Sequence, residues 1–369
     1  MTNRRIPAVL ISPSEYIQDY LDGRNWTQDD LAQVTGRSRC HINRLIGGKT
    51  AITPETAHEL GLAFETSPEL WMNLQSTYDL ARSAKHAPDI QRRSQIYKRF
   101  PVRELTKRSW INAADSLDDL EASICRFMQI SSIDCELPRT LVARKSTDYA
   151  SDTPAQIAWF RRAEALAQAV GAARYDEGQY ATCLERLKTF AANPADLRHI
   201  PGTLAEFGIR LVLVETIAKA KIDGVACWLD DQSPAIALSL RYDRIDNFWH
   251  NLFHELSHIR HRHMPVIDAE NCLGGTLPET EVIANTEAAH SLIDPERLQS
   301  FVLRNRPLFY QDKVIQFARS RGVHPGIVVG QLHGQGHLDY KHLRKLLAPI
   351  RTEIIGKALT DGWGTSIPI

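Results

Sequence analysis

At 369 residues the chain is long enough for two or three domains, and 43% hydrophobic content is ordinary for globular protein. Lys plus Arg and Asp plus Glu number 44 each, so net charge singles out no class of partner, and no apolar run approaches the roughly 18 residues of a membrane span. The start, Met1-Thr2-Asn3-Arg4-Arg5-Ile6-Pro7, lacks the apolar stretch of a signal peptide, and six scattered cysteines without a Cys-x-x-Cys pair read as free thiols, so a cytoplasmic protein is expected.

Residues 12–80 carry closely spaced helix-start signals. Ser12-Pro13, Thr53-Pro54 and Ser67-Pro68 each set a capping hydroxyl before a proline at the first helical position, and Thr27 with Asp30 approximates a capping box. Five short helices are expected, forming an all-α domain assigned to residues 1–82. In its middle, Ala32 is small where two helices cross, Gly36 supplies a turn, and Ser38 caps a segment anchored by Ile42 and Leu45. The exposed side of that second helix presents Arg39, Cys40, His41, Asn43 and Arg44 beside Ser38. This is a helix-turn-helix pattern suited to the major groove, with Gln28 and Lys49 placed where helix ends meet phosphates. Double-stranded DNA is the expected partner, as a palindromic operator bound by a homodimer. The alternative is a small helical protein-interaction domain.

Two further runs, Gly47-Gly48-Lys49-Thr50-Ala51-Ile52-Thr53-Pro54 and Trp71-Met72-Asn73-Leu74-Gln75, complete a likeness. Most of residues 7–82 resembles the XRE-type helix-turn-helix, in particular the HigA antitoxin subgroup, with Arg37 where that group usually carries an apolar residue. The resemblance implies a repressor that binds DNA and a toxin partner.

From Arg82 to Arg108 nine Lys and Arg face only Asp89 and Glu104, as a solvated helix or linker face does; beside a DNA-binding module the run can also add phosphate contacts. Residues 110–200 are Ala-rich with helical periodicity around Leu117, Leu120, Ile157, Trp159, Phe160, Tyr180 and Leu184. The whole of residues 83–200 reads as a helical connecting region. The period then changes. Ile209–Glu215, Gly224–Leu229 and Ala235–Leu240 read as three strands, with turns at Asp223-Gly224 and Asp230–Pro234.

Directly after them stands His254-Glu255-Leu256-Ser257-His258. Chance supplies only about 0.03 such His-Glu-x-x-His matches in a chain of this composition, so the pattern carries weight. On a helix the two histidines share a face and can bind one Zn²⁺, while Glu255 lies beside the metal's open position as a general base. Phe248, Trp249, Leu252, Phe253, Leu256 and Ile259 form an apolar stripe that buries such a helix. The alternative is a surface helix rich in histidine, with His250, His261 and His263 close by. A third ligand is expected from the helix that follows. There Glu281 shares a face with the small residues Ala284, Asn285 and Ala288, whereas Glu279, Glu287 and His290 are its rivals. Asn285 can orient a ligating group.

This combination, with Leu292-Ile293-Asp294-Pro295 after it, resembles the ImmA/IrrE family of zinc metallo-endopeptidases. The resemblance implies His254, His258 and Glu281 as metal ligands, Glu255 as the catalytic glutamate, and a regulatory protein as substrate. Glu287 stands where that family usually has Phe, and Asp294 interrupts its apolar run. Gly322-Val323-His324-Pro325-Gly326, followed by an apolar run, predicts a last turn into a core-packed helix. The expected protein is mainly α with a small β-sheet (α+β): a helix-turn-helix domain, a helical connection, and a zincin-like domain over residues 201–369. Its expected function is a DNA-binding regulator with a zinc endopeptidase domain. The alternative is a HigA-like antitoxin whose metal domain is structural or sensory.

Overall fold

The computed structural model describes residues 11–83, 87–135, 137, 153–218, 220–263 and 278–365; residues 1–10 and Cys272 lie outside these. The chain divides into two units, Met1–Gln95 and Ile96–Ile369.

The first unit is all helix: α1 (Pro13–Arg24), α2 (Gln28–Thr35), α3 (Arg39–Ile46), α4 (Pro54–Phe64) and α5 (Pro68–Ser83). Each start has the chemistry its sequence signals. Ser12 and Thr27 close capping boxes with Glu15 and Asp30, Ser38 and Thr53 accept from backbone N–H groups one turn on, and Ser67 Oγ accepts from Leu70 N. Gly36 ends α2 at φ +69°, a left-handed conformation that glycine adopts without a Cβ clash. The core is Ile17, Leu21, Leu31, Ile42, Leu45, Leu60, Phe64 and Trp71, all at most 2% exposed. Trp71 satisfies its indole by donating to Thr66 Oγ1 at 2.9 Å.

The division between the units falls within α6 (Ala87–Arg99). The second unit continues through α7 (Val102–Lys107), α8 (Leu117–Met128), α9 (Pro154–Gln168), α10 (Tyr180–Lys188) and α11 (Ile200–Glu206) to the strands. These are β1 (Arg210–Val214), β2 (Gly224–Trp228) and β3 (Pro234–Leu238), within a residue or two of the spans predicted. Then follow α12 (Ile245–Arg260), α13 (Glu279–Leu292), α14 (Pro295–Asn305), α15 (Gln311–Arg321), α16 (Pro325–Gly334), α17 (Arg351–Ile354) and β4 (Leu359–Asp361). The sheet is mixed, in the order β2-β3-β1-β4. β1 pairs in parallel with β3 and β4, and β2 runs antiparallel to β3.

Both faces of the sheet are covered, which explains why its strands read as continuous apolar runs rather than an alternation. Leu211, Leu213, Ala226, Ile236 and Leu238 join the core that holds Phe248, Trp249, Leu252, Phe253 and Leu256 of α12. Val212, Val214, Val225, Cys227, Ala235 and Ala237 join the core of Ile157, Trp159, Phe160 and Leu166 on α9. The helices read from sequence as a connection therefore supply the cover of the second face. Trp159 donates from Nε1 to Val214 O at 3.0 Å, and Arg162 Nε donates to Asp361 Oδ2 at 2.7 Å, pinning the short β4 to α9. Trp110 Nε1 reaches the other Asp361 oxygen at 3.0 Å. With two donor groups the buried Asp361 charge is compensated, which β4 otherwise has too few residues to secure.

Candidate functional site

α12 is held from three directions. Its apolar stripe packs on the sheet, each fully buried Leu, Ile or Phe contributing about 1.5–3 kcal/mol. α16 crosses it closely because Gly330 has no side chain; a Cβ there would lie 2.4 Å from Asp246 Cβ. α13 lies against it through Ala284 and Ala288, at 0% and 4% exposure, the small-residue face expected of that helix.

This packing brings three donors together. His254 Nε2 lies 2.9 Å from His258 Nε2, His254 Nε2 lies 3.3 Å from Glu281 Oε2, and His258 Nε2 lies 3.5 Å from Glu281 Oε1. All three residues are buried, and their ligand atoms lie within 4.8 Å of one another. Tetrahedral zinc with bonds of about 2.0–2.1 Å sets its ligand atoms about 3.3 Å apart, close to the separation of each histidine from its nearer Glu281 oxygen. The group can bind a metal ion.

Electrostatics agree with that use. Burial and the neighbouring His254 push the His258 pKa down to about 4, against a smaller opposing pull from Glu281, so its imidazole is neutral at pH 7. A neutral ring offers a lone pair. The other ring nitrogen, His258 Nδ1, sits 3.0 Å from His263 Nδ1. With Nε2 holding a metal, the proton of His258 would be on Nδ1, within reach of His263 Nδ1, which would fix the ring's orientation.

Glu255 is 1% exposed, on α12 between the two histidines. Its carboxylate packs on the start of β2, where a Cβ at Gly224 would lie 2.5 Å from Glu255 Oε1. Of the rival ligands, Glu279 and His290 are exposed, and Glu287 is engaged elsewhere. Its Oε2 accepts from Ser257 Oγ at 2.6 Å, and its Oε1 lies 2.9 Å from His261 Nε2. Burial raises the Glu287 carboxyl, but the hydrogen bonds from Ser257 and His261 outweigh this and hold it below the usual carboxylate range. Asp294 has a local use too: it caps α14, accepting from Arg297 N at 3.0 Å.

In the first unit, Ser38, Arg39, Cys40, Asn43, Arg44 and Lys49 are exposed, while His41 and Gln28 are half-buried. Ile42 and Leu45 turn inward at 1% and 2% exposure. Arg39 Nε pairs with Asp29 Oδ1 at 3.1 Å across the turn. Arg37, polar where an apolar residue is usual, instead ties the turn to α4, donating to Glu59 Oε1 at 2.7 Å.

No protein-family model matches this chain. An uncharacterized HTH-type transcriptional regulator of Escherichia coli (strain K12) is 36% identical over 73 residues, which are 20% of this chain and 78% of the relative. The chain belongs to the HTH-type transcriptional regulators. Virulence-associated protein A' of Dichelobacter nodosus is 32% identical to this HTH-type regulator over 78 residues, 21% of the regulator and 68% of the relative. Among solved structures, the Pseudomonas aeruginosa antitoxin HigA with the higBA promoter is 30% identical. It covers 22% of the regulator and 91% of its own chain at a TM-score of 0.22. A second Pseudomonas aeruginosa protein, solved in complex with its operator DNA, is 32% identical, with 22% and 93% coverage and a TM-score of 0.22.

Sequence reasoning missed three features of the regulator's buried group: the partnership of His263 with His258, the engagement of Glu287, and the clearance at Gly224 for Glu255. A histidine at i+5 from a ligand was the one available signal for His263. Glu287 and Gly224 depend on which elements become neighbours.

Proposed function

We propose that the protein is an operator-binding transcriptional regulator whose second unit is a zinc-dependent endopeptidase acting on a partner regulatory protein. The observation that carries this reading is the buried His254/His258/Glu281 group with a second buried carboxylate, Glu255, on the same helix. Two neutral imidazoles and one carboxylate leave a divalent ion with net positive charge, which Glu255 can balance. A structural site closes its coordination with four protein ligands, whereas this group offers three and leaves a position open beside Glu255.

His254, His258 and Glu281 would hold the zinc, which when bound supplies a Lewis acid and a water of pKa lowered towards ~7. Glu255 takes a proton from the attacking water and returns it to the leaving amine. β2 is an edge strand of the sheet, and its first residue touches Glu255. An extended peptide pairing with that edge would run past the carboxylate.

In the first unit, α3 enters the major groove with Ser38, Arg39, Cys40, His41, Asn43 and Arg44 towards base edges, while Gln28 and Lys49 meet phosphates. Arg39 must exchange its pairing with Asp29 for DNA, which is cheap because an exposed ion pair is worth about 0–1 kcal/mol. Operators of this kind are palindromic and bound by homodimers.

The test is metal analysis of wild type and Glu255→Gln, each then expressed with candidate partner regulators, with and without stress. Both should carry zinc and repress equally, and only wild type should cleave. Equal behaviour of the two towards every partner, with zinc and repression intact, would establish the metal domain as structural or sensory and the protein as an antitoxin-like repressor.

A further inference from the structure

The helix that presents Glu281 packs on the helix that presents the histidines largely through small side chains. Beside Glu281, the buried residues of its inward face are Ala284 and Ala288, each with a single methyl. Alanine against a helix surface also resists sliding poorly, because it offers no knob to a hole. A metal ligand tolerates only about ±0.2 Å in bond length. Something directional must set the register of α13 on α12.

Glu287 is placed to do so. It follows Glu281 by six residues, about 9 Å along the same helix. Its carboxylate meets two residues of α12 and the residue that caps it: Ser257 Oγ at 2.6 Å, Arg260 Nη1 at 3.3 Å and His261 Nε2 at 2.9 Å. The three arms are unequal. Arg260 is half in solvent, where an ion pair contributes little, whereas Ser257 is 1% exposed and is the neighbour of His258 in the chain. A short, charge-assisted bond from a buried hydroxyl beside a metal ligand is both strong and stereospecific.

We propose that Glu287 is a positioning residue of the metal centre, clamping α13 to α12 through Ser257 so that the Glu281 carboxylate is delivered to the two histidines. This rests on the reading that His254, His258 and Glu281 bind a metal. The clamp adds a directional bond to a helix contact whose buried alanines do not by themselves fix its register.

The full chain is compared as wild type, Glu287→Ala, Glu287→Gln, Ser257→Ala and Glu279→Ala. Zn²⁺ affinity is read by competition with a chromophoric chelator, and ligand geometry by the visible absorption of Co²⁺ in the same site. Glu287→Ala and Ser257→Ala should each weaken metal binding roughly 10–100-fold and lower the tetrahedral Co²⁺ bands. Glu287→Gln, whose amide oxygen still accepts from Ser257, should recover most of both. Glu279→Ala should match wild type. Thermal unfolding of each metal-free variant separates a general loss of stability from a loss of metal affinity, and the clamp predicts the second without a matching fall in the first. Wild-type affinity and spectrum in Glu287→Ala and Ser257→Ala overturn the proposal. A wild type that binds neither metal overturns the metal reading itself, and the clamp with it.

Discussion

On α3 the side chains proposed to face DNA, Arg39, Cys40, Asn43 and Arg44, stand in solvent, whereas His254, Glu255, His258 and Glu281 are at most 7% exposed. The contrast separates two ways of storing function. Polar groups on a surface cost almost nothing in the folded state, because water already serves them. Four polar or ionisable groups packed under α12, α13 and β2 are a desolvation cost that an apolar set of the same size would avoid. Such a set is stable when a ligand compensates it, so its existence points to a ligand more firmly than an exposed polar face does. The same difference predicts how each site fails: all at once where ligands share one ion, additively where separate side chains meet separate bases.

The largest effect should come from breaking the buried group. His254→Ala or His258→Ala leaves two of three donors, and metal content should fall from about one zinc per chain to near zero. Elemental analysis of purified protein checks this. Operator affinity should be unchanged in both variants; a parallel loss of DNA binding would show that the exposed and buried sites are not independent.

Next is the scaffold. Trp159 is wholly buried against the sheet face away from α12 and donates to Val214 O. Trp159→Ala removes both packing and that bond, and should destabilise the second unit by about 3–5 kcal/mol. Denaturant unfolding followed separately in the two units should show the α1–α5 transition unmoved. If both transitions shift together, the division at Gln95 and Ile96 is not an energetic one.

Legibility follows the same divide. His254 and His258 were readable because i and i+4 share a helix face whatever packs around it, and Glu281 because its small neighbours Ala284 and Ala288 announce close helix contact. The caps of α1 to α5 were readable because capping is local. β4 was not. It has three residues, Leu359-Thr360-Asp361, and an aspartate at its end argues against a buried strand. What makes Asp361 tolerable are donors 199 and 251 residues away in Arg162 and Trp110, and no window of sequence contains them. The Ser257–Glu287 bond escaped for the same reason, spanning 30 residues between two helices whose relative register is a product of folding.

The smallest effects should lie on the exposed face, and they should differ in kind. Asn43 and Arg39 project from the first two turns of α3, the part of a recognition helix that reaches base edges, so Asn43→Ala or Arg39→Ala should cost about 1–3 kcal/mol on the operator and little on unrelated DNA. Lys49 lies past the end of that helix, exposed, with its backbone N–H bound to Arg44 O at 2.8 Å. On the proposed reading, a lysine so placed meets a phosphate as a point charge and reads no sequence. Lys49→Ala should therefore weaken operator and unrelated DNA alike, and reduce the slope of log affinity against log salt by about 1. Titrations of both DNAs over a range of salt separate the two behaviours. Were Lys49→Ala to lose operator affinity selectively, at an unchanged salt slope, the segment after α3 would be reading bases and the face assigned to α3 would have to be redrawn around it.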